Sequence, residues 1–265
     1  MLIIGEKLNS AIPSVRQIIQ DKDAAAVRDL AVKQVQAGAH YLDVNTAHCN
    51  EIEDMEWLVQ TVQEVTDAPL CVDSTSGEVI KKALKNIKGE KSKVIINSIS
   101  MEKNRLEEVL PLVLEYQCPA IGLTADDNGI PKTVEDRIKI TERLVELLSK
   151  YGYNLENLYI DPLVLPLAVS HTHAATFFQC LTEIKRLFNV KTVSGLSNIS
   201  FNMPKRKLIN RYFLAICMAH GMDAAILDPL DPKVMTAITT MELLMGRDAF
   251  GKNFLKAYRK GLLAD

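Results

Sequence analysis

Leu70-Cys71-Val72-Asp73-Ser74-Thr75 is a short apolar run that stops at a carboxylate followed by two hydroxyls. The same phrase recurs along the chain. Val94-Ile95-Ile96 runs into Asn97-Ser98, Leu158-Tyr159-Ile160 into Asp161-Pro162, and Val193-Ser194-Gly195-Leu196 into Ser197-Asn198. Leu2-Ile3-Ile4 leads to Glu6 and Asn9, Tyr41-Leu42 to Asp43 and Asn45, and Ala224-Ala225-Ile226-Leu227 to Asp228. A short apolar run between turn residues has the pattern of a strand covered on both faces, as in a parallel sheet. Polar residues at the ends of many such strands converge on one rim. That rim is where barrels and doubly wound α/β proteins place their sites.

Working outward, strands are predicted at residues 2–5, 40–44, 69–72, 94–97, 119–124, 158–161, 191–196 and 224–227, roughly 25 to 40 residues apart. Helical patterns fill the gaps. Asp23 caps a helix predicted through Gln36 and stopped at Gly38. From Glu51 to Val65, Ile52, Met55, Leu58, Val59 and Val62 follow helical spacing. Thr133 with Asp136 has the form of an N-terminal capping pair, followed by Ile138, Ile140, Leu144, Leu147 and Leu148. Further helices are predicted over Leu208 to Ala219, Pro232 to Leu244, and from Gly251 onward. Eight strand–helix units without a low-complexity linker predict a single (β/α)₈ TIM barrel spanning 1–265. A doubly wound sheet is the competing fold, but neither GxGxxG nor GxxxxGK[ST] occurs.

The net charge of −2 does not support a basic nucleic-acid-binding surface. No apolar stretch is long enough to span a bilayer, and Met1 leads straight into a strand-like run rather than a signal peptide. The expectation is a soluble cytoplasmic protein. The five cysteines are scattered, odd in number and lack CxxC, which argues against a disulfide framework, a zinc ribbon or an iron–sulfur site. Cys71 and Cys217 lie in apolar runs and read as core residues.

Asp73, Asn97, Asp161 and Asn198 end what count as strands three, four, six and seven, so in a barrel they point over one mouth. Two carboxylates and two carboxamides suit a flat, nitrogen-rich ligand. A carboxylate accepts two parallel N–H bonds from an amidine-like edge, and an amide both donates and accepts. The competing explanation is that each is a helix N-cap, a position Asp, Asn and Ser favour anyway.

The ordered set Ile4-Gly5-Glu6-Lys7-Leu8-Asn9, Leu42-Asp43-Val44-Asn45, Cys71-Val72-Asp73-Ser74-Thr75, Ile96-Asn97-Ser98, Tyr159-Ile160-Asp161-Pro162 and Gly195-Leu196-Ser197-Asn198-Ile199-Ser200 resembles one known pattern. It is that of the methyltetrahydrofolate–corrinoid protein methyltransferases and of the folate domain of cobalamin-dependent methionine synthase. The match extends through Leu208-Ile209-Asn210-Arg211 and Gly221-Met222-Asp223-Ala224-Ala225, almost the whole chain. Each motif alone is weak; their order is what makes the set specific.

The resemblance implies a pterin-binding barrel acting on methyltetrahydrofolate. It implies that Asp73, Asn97 and Asp161 hold the pterin ring, with Asp161 on the 2-amino and N3 edge. It places Asn198 near N5, the nitrogen that carries the methyl group, and Ser197, Glu6, Asp43 and Asn45 around the ring. Asn198 and Asp73 are the expected catalytic pair. A tertiary amine is a poor leaving group, so donation from the Asn198 amide to N5 would stabilise the developing charge, with the proton drawn from water near Asp73. The methyl group would pass to or from a corrinoid (cobalamin) on a separate corrinoid-binding protein. None of the five histidines lies in the Asp-x-His-x-x-Gly pattern that ligates cobalt, and no metal is expected on this chain. A homodimer is also implied.

Phe201 after Ser200, and Ile99-Ser100 after Asn97-Ser98, lean towards the methionine-synthase pattern. The pathway implied is a demethylation system, such as that for glycine betaine or aryl methyl ethers, or the acetyl-CoA pathway, with the balance towards the former. Arg206 and Lys205 are candidates for the folate glutamate tail or an acidic partner, against a plain solvated loop. His171-Thr172-His173 with His48-Cys49 is a weak metal signal. Two other readings compete: a dihydropteroate synthase relative, whose Lys-x-Ser-Phe-Arg-like signal is missing, and a non-catalytic folate-binding subunit.

Overall fold

The computed structural model describes residues 1–264. Eight parallel strands form one sheet: β1 Leu2–Asn9, β2 Tyr41–Asn45, β3 Leu70–Asp73, β4 Ile95–Met101, β5 Ala120–Asp126, β6 Leu158–Asp161, β7 Lys191–Thr192 and β8 Ala224–Leu227. They are ordered β7-β6-β5-β4-β3-β2-β1-β8. The two ends meet: the Asp223 N–H donates to the Thr192 carbonyl at 3.2 Å and the Ile226 N–H to the Ser194 carbonyl at 2.8 Å, so the sheet curls into a barrel.

Helices cover the outside. α1 Pro13–Gln20 and α2 Ala24–Gln36 both lie between β1 and β2, and α3 Glu51–Val62 to α8 Arg206–Ala219 follow one per strand. In order these are α4 Gly77–Asn86, α5 Lys103–Tyr116, α6 Val134–Lys150 and α7 His173–Leu187. α9 Pro232–Leu244 and α10 Lys252–Arg259 close the chain. The caps are those legible in the sequence: Asp23 accepts from the Ala26 N–H at 3.0 Å and Thr133 from the Asp136 N–H at 3.1 Å, as N-cap chemistry requires.

Strand parity divides the core. Leu42, Val44, Val72, Ile96, Leu158 and Ile160 point outward and pack under the helices. Ile4, Cys71, Ile95, Ile121, Tyr159, Val193 and Ala224 point inward as a separate apolar plug. The inward positions further along the same strands carry the polar residues.

Some boundaries differ from expectation. β7 pairs regularly only over Lys191–Thr192, because the chain turns into a 3₁₀ helix at Leu196–Ser200. β1 and β4 run on past Gly5 and Asn97 through irregular register. In β1 the break is built around Gln34, whose Oε1 accepts the Lys7 N–H at 3.0 Å. A Cβ on Gly5 would sit 2.5 Å from that oxygen, so a side chain there would push Gln34 off the Lys7 N–H. On α6 the buried stripe is Arg137, Ile140, Thr141, Leu144 and Leu148; the expected Ile138 is only partly buried.

Candidate active site

A cavity of about 750 Å³ opens at the C-terminal ends of the strands. Glu6, Asp43, Asp73, Asn97, Asp161, Ser197 and Asn198 all line it, with Phe201 and Arg206 at its edge. Residues from five strands and one loop are thus gathered in one place, the arrangement that strand-end polarity implies. Asn45 acts one step away. Its Nδ2 donates to Asp73 Oδ2 at 2.9 Å, while its Oδ1 accepts the Ala47 N–H at 3.0 Å, which fixes the amide's orientation.

The helix-cap explanation does not describe the four strand-end residues. The N-caps of α4, α5, α7 and α8 are Ser76, Glu102, Thr172 and Lys205. Two details of the expected placement are corrected. Asn97 lies within β4 rather than at its end, and Asn198 lies in the 3₁₀ turn after β7. Asn198 nevertheless reaches the cavity because Gly195 has no side chain: a Cβ there would lie 3.0 Å from Asn198 Nδ2.

Gathering carboxylates under a barrel rim has an electrostatic consequence. Burial pushes Asp161 up to about 7, against hydrogen bonds from the Leu163 and Gly195 backbone and the nearby Arg137 charge. Burial likewise raises Glu6 to about 7, opposed by the Ser197 hydroxyl and reinforced by Asp228. Asp73 rises to about 6 through burial, opposed by Asn45. Asp43 is driven well above the carboxylate range by burial and then by Asp73. It is 1% exposed, and neither of its oxygens has a hydrogen-bond partner among the described residues. A buried acceptor without a donor is costly. Asp73 and Asp161 each already have a donor, from the Asn45 amide and the Leu163 backbone, so among the described residues Asp43 is the floor carboxylate left without one.

The turn after β7 is held from two sides. Ser197 Oγ donates to both Glu6 oxygens, at 2.8 and 3.0 Å. Arg206 donates from Nη2 to the Ser197 carbonyl at 2.9 Å and from Nε to Ser200 Oγ at 3.2 Å. Its guanidinium stands 6.0 Å from the ring of Phe201, which is 54% exposed at the mouth.

Three supporting groups were not singled out from the sequence as site residues. Lys7 Nζ pairs with Asp228 Oδ2 at 3.0 Å across the β1–β8 seam. Arg105, on α5, donates to the Ser98 carbonyl at 3.1 Å and to Ser98 Oγ at 3.2 Å, bracing the segment after Asn97. Arg137 is buried and donates to the carbonyls of Pro131, Pro162 and Leu163 at 3.0, 2.7 and 3.0 Å. The Leu163 N–H in turn donates to Asp161 Oδ1 at 2.7 Å. A charged residue on the apolar stripe of α6 was the available signal for Arg137. His173 Nδ1 lies 2.9 Å from the Pro166 carbonyl at the start of α7. Among the described residues no helix is long and apolar enough to cross a membrane.

Residues 6–228 match the family of pterin binding enzymes. The chain belongs to that family. It is 38% identical over 266 residues to a methylcorrinoid:tetrahydrofolate methyltransferase of Eubacterium limosum, covering 98% of this chain and 97% of that protein. It is 31% identical over 242 residues to methionine synthase of Mycobacterium leprae, covering 85% of this chain but only 20% of the synthase. A solved dihydropteroate synthase from Xanthomonas albilineans, in complex with 7,8-dihydropteroate, superposes with a TM-score of 0.68 at 16% identity, covering 94% of each chain. At that identity the likeness concerns the fold alone.

Proposed function

We propose that this pterin-binding enzyme moves a methyl group between N5 of tetrahydrofolate and the cobalt of a corrinoid carried by a separate protein. The observation that carries the reading is the cavity floor of three buried carboxylates and a carboxamide, Asp43, Asp73, Asp161 and Asn97, in a chain alike end to end with the Eubacterium limosum methyltransferase. A pterin brings N–H donors of its own: its 2-amino and N3 edge pairs with Asp161, and Asn97 and Asp73 take further ring positions. Each new N–H draws its carboxylate towards the ionised form, so binding converts electrostatic strain into charge-assisted hydrogen bonds.

The relative's name runs from methylcorrinoid to tetrahydrofolate, and we assign the same direction here, within a demethylation system. The corrinoid supplies the methyl group, its cobalt keeping the electron pair of the broken Co–C bond. N5 forms the new bond with its lone pair and gives up its proton. Asn198 serves both forms of the folate: its amide oxygen accepts from N5–H before transfer, and its NH₂ donates to N5 in the methylated product. Asp73, held near neutrality at about 6, exchanges the released proton with solvent. Glu6 and Ser197 set the wall on which Asn198 stands. The open mouth, with Phe201 on its edge, is where the corrinoid protein docks, since the methyl carbon must come within bonding reach of both atoms.

The same reading includes a homodimer in the cytoplasm. Leu208, Tyr212 and Ile216 form an exposed apolar stripe on α8, 48%, 60% and 44% exposed, suited to a second copy. Light scattering at twice the chain mass supports it, and a monomer refutes it.

The test of the activity is anaerobic mixing of the protein with methyltetrahydrofolate and free Co(I) cobalamin, following loss of the Co(I) absorbance, and then the reverse reaction from methylcobalamin and tetrahydrofolate. Protein-dependent transfer supports the reading. Intact folate binding with no transfer, even with a corrinoid protein present, favours the non-catalytic folate-binding subunit instead.

A further inference from the structure

Arg137 is a buried cation on the apolar stripe of α6. It forms no ion pair among the described residues. Its guanidinium instead meets three carbonyls. Nε donates to Pro131, after β5, and Nη1 to both Pro162 and Leu163, after β6. One side chain thus ties together two loops of the barrel mouth. Taking a charge out of water for this purpose is costly, and an apolar residue would fill the stripe without that cost.

The loop it grips is strained. Leu163 has a φ of +66°, in the left-handed region that a leucine rarely enters. Such a conformation persists where surrounding contacts impose it, and it clusters at functional sites. Here the contacts are Arg137 Nη1 on the Leu163 carbonyl at 3.0 Å and the Leu163 N–H on Asp161 Oδ1 at 2.7 Å. The two backbone groups of one strained residue therefore connect Arg137 to a carboxylate on the cavity floor. Charge links the same two residues. Burial pulls Arg137 below the ordinary guanidinium value, opposed by the Cys180 thiol and by Asp161. Burial pushes that thiol up to about 11, so it stays neutral. Asp161 is the carboxylate whose charge acts on Arg137.

We propose that Arg137 is a positioning residue for the pterin site: its grip on the Pro162–Leu163 turn aims the Asp161 carboxylate, and its charge supports that carboxylate in the ionised form. The inference rests on the folate reading of the cavity and deepens it. Two parallel bonds to an amidine-like edge need the plane of the carboxylate held. The Leu163 N–H holds one oxygen, and Arg137 holds Leu163. Arg137 itself touches no ligand in this scheme. Arginine suits the task because its fork is rigid and always charged, whereas lysine is a point charge on a flexible stem and cannot grip both loops in a fixed geometry.

The experiment is a double-mutant cycle of Arg137→Lys and Asp161→Asn, with tetrahydrofolate affinity read by titration calorimetry and folding by urea denaturation. Arg137→Lys alone weakens folate binding about tenfold, and in the Asp161→Asn background the same change costs less than about twofold, because the group it acts through is gone. A role confined to packing lowers the denaturation midpoint without this dependence on Asp161. Arg137→Gln, which leaves no charge in the interior, repeats the cycle if the lysine variant does not fold. Unchanged affinity in a folded variant, or equal losses in the two backgrounds, overturns the proposal. Failure of both variants to fold also overturns it and assigns Arg137 to the fold alone. If the unaltered protein does not bind tetrahydrofolate, the folate reading fails and this inference falls with it.

Discussion

The lower and upper halves of the barrel interior are built from the same strands and differ by two residues of chain. Below, Ile4, Cys71, Ile95, Ile121, Tyr159 and Val193 fill the centre with a plug. Above, Glu6, Asp73, Asn97 and Asp161 occupy the next inward positions and face a cavity. Moving two residues along a strand preserves the face and changes only the depth. The plug gains from being buried; the carboxylate layer loses from it and is raised towards neutrality by it. The fold thus holds together from one half and keeps a buried set of carboxylates in the other, the usual division between the bottom and top of such barrels.

Asn198→Ala gives the largest separation between the halves. Loss of the amide that hydrogen-bonds the reacting nitrogen slows methyl transfer about 10²–10³-fold in either direction, while folate affinity changes little and the denaturation midpoint holds. Stopped-flow transfer with parallel folate titration checks it. In the plug the opposite pattern is expected. Ile121→Ala costs about 2–5 kcal/mol of stability, read from urea denaturation, and leaves folate affinity unchanged in the folded fraction. A plug variant that altered affinity as strongly as stability would break the distinction.

Asp161→Asn sharpens it from the other side. A charge-assisted pair to the pterin edge is worth about 1.5–3 kcal/mol, so affinity falls about 10- to 100-fold without loss of stability. The smallest effect is on pH dependence. Glu6, Asp73 and Asp161 have folded-state values of about 7, 6 and 7 above ordinary values of 4.5, 3.8 and 3.8. Between these limits the folded chain holds more protons than the unfolded one. The ligand-free protein therefore loses stability as pH rises from the ordinary values through the folded ones. Asp126 and Asp248, held low by backbone hydrogen bonds, act only at lower pH. Thermal melts across this window should slope downward, and Asp161→Asn should flatten the slope.

Most of the barrel was legible in the sequence because burial on two faces leaves apolar runs, and the caps at Asp23 and Thr133 mark helix starts by local chemistry. Strand-end polarity drew attention to Asp73, Asn97, Asp161 and Asn198 for the same reason. What escaped was set by contacts distant in sequence. Arg137 acts on a loop 25 residues away, and Arg105 reaches back from α5 to the Ser98 carbonyl. The early end of β7 depends on the 3₁₀ turn held by Glu6, 191 residues from Ser197. The run Val193-Ser194-Gly195-Leu196 carries no sign of that partner.

The most direct measurement is calorimetric titration of the protein with tetrahydrofolate, repeated on the combined variant Asp73→Ala, Asn97→Ala, Asp161→Ala and on Ile121→Ala. A pterin site in the upper layer requires one folate per chain, binding lost in the first variant, and binding kept in the folded fraction of the second. No heat with the unaltered protein, or undiminished binding in the upper-layer variant when it is folded, would contradict it.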